Sequence, residues 1–173
     1  MTPDWREAVA AALGARPTSV APLRGGDIAD VHRIEMADGT AYVVKSGGGG
    51  FDIEAWMLRA LAAHLPVPKV IHATPDVLII EHLASGGALD GRAERHAAEL
   101  LAKLHGATAD AYGLERDTLI GGLAQPNPWT PSWCDFFRDQ RLMYMAGEAL
   151  AAGRLAARTM ARIEVLAARG GEW

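Results

Sequence analysis

VVKSGGGGFDIEAWMLRAL, residues 43–61, decides how the rest of the chain is read. Val43 and Val44 are β-branched and suit a pleated strand. Gly47 to Gly50 continue neither a strand nor a helix cheaply. From Phe51 onward, Ala55, Leu58 and Leu61 recur at helical spacing, with Met57 flanking that face. The stretch therefore predicts a strand ending in Lys45, a glycine hinge, and an amphipathic helix with Glu54 in its first turns. Lys45 and Glu54 then sit on adjacent elements that can face each other. An ammonium held by a carboxylate is suited to gripping phosphate oxygens. From this stretch alone, two surface charges that never meet is an equally good reading, because proximity of opposite charges is a weak argument.

The chain has 173 residues, 50% of them apolar, which suffices for one ordinary domain or two small lobes. Its net charge of −4 argues against a general nucleic-acid binder. Cys134 is the only cysteine, so no internal disulfide is expected, and the chemistry suits a reducing cytoplasm. The first residues, with Asp4, Arg6 and Glu7, do not resemble a signal peptide. No apolar run approaches the ~20 residues needed to span a bilayer.

Taken in order, the chain opens with a helix over 3–13, with Thr2 as N-cap, Pro3 in the first turn and Gly14 as the stop. Strands follow around Ser19–Leu23, Ile28–Met36 and Thr40–Lys45. Gly25-Gly26-Asp27 separates the first two, and Asp38-Gly39 signals a hairpin between the next two. After the inserted helix, Pro66 and Pro68 break the chain. Val70–Ala73 and Val77–Ile80 are two further strands, split by Thr74-Pro75-Asp76. Ser85-Gly86-Gly87 is the best domain boundary, dividing 1–84 from 85–173. Beyond it a helix runs from about Arg92 to His105, with Ala97, Leu100, Leu101 and Leu104 on one face and Gly106 as the stop. A loop with Gly113, Gly121, Gly122 and Pro126 leads to Thr130-Pro131, which starts a helix through Trp133, Phe136, Phe137 and Leu142. Gly153 interrupts it, and a last helix passes through Met160, Ile163 and Leu166. The fold class is α+β: a five-stranded antiparallel lobe with one inserted helix, then helices.

Gly25-Gly26 lets backbone N–H groups approach phosphate oxygens closely, although Gly-Gly is as often a plain tight turn. Asp27 would repel phosphate, so capping the turn suits its side chain better. Ile80-Glu81-His82-Leu83 is either a hinge whose backbone reads a base edge or simply a strand end. His82 suits a solvent-facing position rather than a general base. The six histidines show no metal-ligand spacing. Cys134, within an aromatic helix, reads as a packed thiol. Gln125, Asn127 and Trp129 form a polar-aromatic loop that either lines a substrate cleft or caps the next helix.

In sequence, GGDIADVHRIEMADGTAYVVKSG (25–47), EAWMLRAL (54–61), VPKVI (67–71), LIIEHL (78–83), ELLAKLHG (99–106), YGLERDTLIGGLAQPNPW (112–129) and WCDFFRDQRL (133–142) resemble the fructosamine kinase (ketosamine-3-kinase) family. These kinases are protein-kinase-like relatives of the aminoglycoside phosphotransferases. The resemblance implies that Lys45 contacts the ATP phosphates and pairs with Glu54. It implies that the Gly25–Ile28 backbone, with Gly26, Asp27 and Ile28, covers those phosphates. Ile80 would abut the adenine, and the Glu81 carbonyl and Leu83 N–H, flanking His82, would form the hinge bonds. The implied reaction moves the ATP γ-phosphoryl group, with Mg²⁺, to the 3-hydroxyl of a sugar ketoamine on a small molecule or glycated amine. No nucleic-acid or membrane partner is implied. The family's His-Gly-Asp loop and magnesium-binding aspartate find no match here, since Ala107 follows His105-Gly106. The chain is thus expected to be an N-terminal part, inactive alone, with an incomplete helical lobe whose exposed helices self-associate. The alternatives are an aminoglycoside- or choline-type phosphotransferase, and a non-catalytic nucleotide-binding module.

Overall fold

The computed structural model describes residues 4–23, 29–84 and 86–170. The chain divides into two compact units, 1–107 and 108–173.

In the first unit, helix α1 (Trp5–Leu13) precedes strands β1 (Ser19–Pro22), β2 (Asp30–Glu35) and β3 (Ala41–Ser46). Helix α2 (Phe51–Leu61), strands β4 (Val70–Ala73) and β5 (Val77–Glu81) and helix α3 (Gly91–His105) follow. The strands form one antiparallel sheet in the order β1-β2-β3-β5-β4. Successive strand side chains point to opposite faces. One face, built from Ile34, Val44, Val77 and Ile79, packs with Val9 and Trp5 of α1. The other, built from Val43, Leu78 and Ile80, packs with Phe51, Ala55 and Leu58 of α2. Helices on both faces explain why Val77 to Ile80 is one continuous buried apolar run.

Some local expectations need correction. Asp4 caps α1, its carboxylate accepting from Arg6 N–H at 3.0 Å; Thr2 and Pro3 lie outside the described residues. The expected Asp38-Gly39 hairpin forms between β2 and β3, but not with the two-residue primed turn that this dipeptide favours. Only Gly39 has a positive φ, 81°. Gly39 N–H donates to Met36 O at 3.0 Å and Met36 N–H to Thr40 O at 2.8 Å, giving a three-residue loop with glycine at its left-handed position. Asp90 caps α3, accepting from Arg92 and Ala93 N–H. Gly106 ends α3 in right-handed rather than left-handed geometry.

In the second unit, the expected loop contains a hairpin, β6 (Thr118–Ile120) with β7 (Leu123–Gln125). Gly121, with φ 61°, begins its two-residue turn. Thr130 does not cap the next helix. It pairs with Tyr112 in an isolated bridge, and Ser132 is the cap. The helix then runs as α4 (Trp133–Phe137), a π-helical segment (Arg138–Met143) and α5 (Tyr144–Ala151). Gly153 breaks it at φ 68°, and α6 (Ala157–Ala167) comes next. Among the described residues, no helix is long and apolar enough to cross a membrane.

Candidate functional site

Strand parity puts Lys45 on the α2 face, since Val43, two residues earlier, packs in the α2-side cluster. Glu54 stands in the first turn of α2, where a carboxylate is favoured by the helix dipole. The Lys45 Nζ donates to Glu54 Oε1 at 2.6 Å, a short charge-assisted bond. The two side chains are 29% and 36% exposed, so the pair is half-buried and open to water. The link between their elements turns on left-handed backbone: Gly47, Gly49 and Gly50 have φ of 81°, 87° and 73°. A side chain at these positions would be strained. Gly50 thereby serves as the N-cap of α2 without any side-chain cap.

At the far end of β5, Ile80 is buried among Phe51, Ala55 and Leu78. The Glu81 N–H is used by Lys69 O at 2.9 Å, and the Glu81 carboxylate accepts from Lys69 N–H at 3.2 Å. His82 N–H reaches Ala41 O at 3.4 Å. Leu83 lies beyond the strand, 52% exposed, and among the described residues its N–H has no hydrogen-bond acceptor. Gly25, Gly26, Asp27 and Ile28 lie outside the described residues.

In the second unit, Asn127 is 2% exposed and fully engaged. Its N–H donates to Asp117 Oδ1 at 2.8 Å and its carbonyl accepts from Leu114 N–H at 3.0 Å. Its Nδ2 donates to Arg116 O at 3.2 Å and Thr118 Oγ1 at 3.0 Å, and its Oδ1 accepts from Arg141. Thr118 Oγ1 in turn donates to Gln125 Oε1 at 3.0 Å. Trp129 is 51% exposed. Of the three loop residues singled out from sequence, the structure thus presents Trp129 outward, ties Gln125 to the hairpin and buries Asn127. Arg141, which connects the loop to the helix after it, was missed by residue-level reasoning. The only signal for it was that QPNPW and FFRDQRL lie in neighbouring segments.

The model for the fructosamine kinase family matches residues 1–169. The chain belongs to that family. Among relatives of this fructosamine kinase-family chain, a Synechocystis protein assigned as a ketoamine kinase is 40% identical over 101 residues, covering 54% of this chain and 34% of its own length. An Enterococcus faecium protein assigned likewise is 31% identical, covering 71% of this chain and 46% of its own length. A crystal structure assigned as a fructosamine-3-kinase from Thermobifida fusca superimposes with a TM-score of 0.81 at 25% identity, over 95% of this chain and 60% of that one. The family chain thus spans about a third to a half of the length of these curated relatives. The match carries the protein-kinase-like α+β fold, with the five-stranded lobe, its inserted helix and helices of an incomplete second lobe. The family implies ATP and Mg²⁺. Lys45, braced by Glu54, fits an anionic phosphate group. Among the described residues no three or more His, Cys, Asp or Glu side chains converge as a metal site.

Proposed function

We propose that the protein is an ATP-dependent kinase that phosphorylates the 3-hydroxyl of ketoamines, and that 1–107 supplies its nucleotide grip. The observation that carries this reading is the Lys45–Glu54 bond, built from two elements that the sheet parity and the glycine hinge bring together. The carboxylate holds the ammonium at the sheet surface, where its remaining protons are available to phosphate oxygens. The Leu83 N–H, which has no acceptor among the described residues, and the Glu81 carbonyl read the adenine edge, with Ile80 beside the base and the half-buried His82 between them. Trp129 and its loop take part in holding the ketoamine. ATP and a ketoamine are the partners. The ketoamine kinase names of the relatives support the substrate class.

The test is to titrate a non-hydrolysable ATP analogue into ¹⁵N-labelled protein. Shifts should concentrate at Lys45, Glu54 and residues 80–83, and Lys45→Ala should abolish them. Saturable binding that leaves these residues unmoved would refute the site.

A further inference from the structure

The π-helical segment, Arg138–Met143, adds a residue per turn and so rotates the succeeding helix α5 relative to an unbroken α-helical path. Arg141 lies within it and reaches back fifteen residues along the chain to the loop before α4. Its Nη1 donates to Pro126 O at 2.7 Å and to Gln140 O at 3.0 Å, and its Nη2 donates to Asn127 Oδ1. Its guanidinium lies 4.5 Å from the centre of the Phe136 ring. The charge of Arg138, three residues earlier, is met by Asp135 at 2.8 Å and Asp139 at 2.7 Å. Arg141 has no such carboxylate among the described residues, and burial pulls its pKa below the ordinary arginine value. A partly buried cation met by neutral oxygens and a ring face, with no carboxylate among the described residues, is a costly way to fasten a helix. All its loop contacts fall between Gln125 and Trp129.

We propose that Arg141 is a positioning residue that fixes the Gln125–Trp129 loop and so holds the half-exposed Trp129 indole in place for substrate. The substrate clause rests on the ketoamine reading above. Asn127 is the point of transfer. The guanidinium pins its amide oxygen, and its Nδ2 and backbone carry that constraint to Arg116, Thr118, Asp117 and Leu114. Arginine suits this because its planar fork holds two acceptors at once, whereas lysine offers a point charge. The family motifs QPNPW and FFRDQRL then form one device.

The experiment compares the unmutated protein with Arg141→Ala and Arg141→Lys by amide hydrogen exchange and by tryptophan-detected titration with fructosyl-lysine. Loss of hydrogen bonds to a charged donor should speed exchange at Leu114 and Asn127 by roughly tenfold or more in Arg141→Ala, with α6 unchanged. Affinity for fructosyl-lysine should fall by a similar factor, and Arg141→Lys should recover part of both. Unchanged exchange at Leu114 and Asn127, or an equal rise throughout the second unit, would overturn the proposal. If Arg141→Ala does not fold, Arg141→Lys decides by the same comparison. If the unmutated protein ignores fructosyl-lysine while the loop still responds to Arg141, the ketoamine reading fails and the positioning stands.

Discussion

Lys45 shows how little energy a half-exposed ion pair needs to contribute to folding. A deeply buried pair would cost several kcal/mol to break from one side. This pair keeps 29% and 36% of its side-chain surface. Water and salt screen it, so Lys45→Ala and Glu54→Gln should each destabilise by about 1 kcal/mol or less. Urea melts measure this, and a loss above about 3 kcal/mol would indicate a buried charge left without compensation. The pair was half legible in sequence: strand and helix periodicities put the two residues on adjacent elements, and the family resemblance implied that they meet. Asn127 was not legible to the same depth. Its hydrogen bonds all run to residues of 114–118 and to Arg141, and local sequence carries no trace of such distant partners.

Individual elements turn on a few backbone positions. Gly113, at φ 142°, passes under the Asn127–Pro128 peptide, and an added Cβ would lie 2.7 Å from Pro128 O. Gly113→Ala should therefore destabilise the second unit by about 2–4 kcal/mol, from backbone strain together with overpacking. Differential scanning calorimetry checks it, and a neutral result would show that the loop can shift aside. In the β2–β3 hairpin, the Asp38 carboxylate accepts from Thr40 N–H at 2.9 Å, and that bond lowers its pKa below 3.8. A lowered folded-state pKa means that the contribution is complete above 3.8 and is lost as pH falls through the lower folded value. The Thr40 amide resonance should report a midpoint below 3.8, and one at or above it would contradict the bond. Strands and helices with strong patterning were readable in advance. The β6–β7 hairpin was not, because three-residue strands are too short to show alternation. The π-helical segment has no compositional signature.

Across the whole molecule, the two units differ in how much core they hold. Most of the buried apolar side chains belong to the sheet and its two helices, whereas the second unit buries Phe136, Ala146 and Ala167. A unit with little buried apolar surface is marginal. Hydrogen exchange in rising urea should therefore open 108–170 before β2, β3 and β5, and simultaneous opening would show that the units unfold as one.

The strand order β1-β2-β3-β5-β4 also bears on how fast the protein can fold. The β1–β2–β3 meander and the β4–β5 hairpin each close over short stretches of chain. Only the seam between β3 and β5 joins distant segments, matching Lys45 with Leu78 across the whole of α2. Its loop-closure entropy must be met before any seam contact rewards it. Seam formation then governs the refolding rate. Ile79→Val should slow refolding in step with its loss of stability, while Val20→Ala on the outer strand should mainly speed unfolding. Since Lys45 lies in the seam, opposite Leu78, the step that sets the folding rate would also set this lysine in its final register.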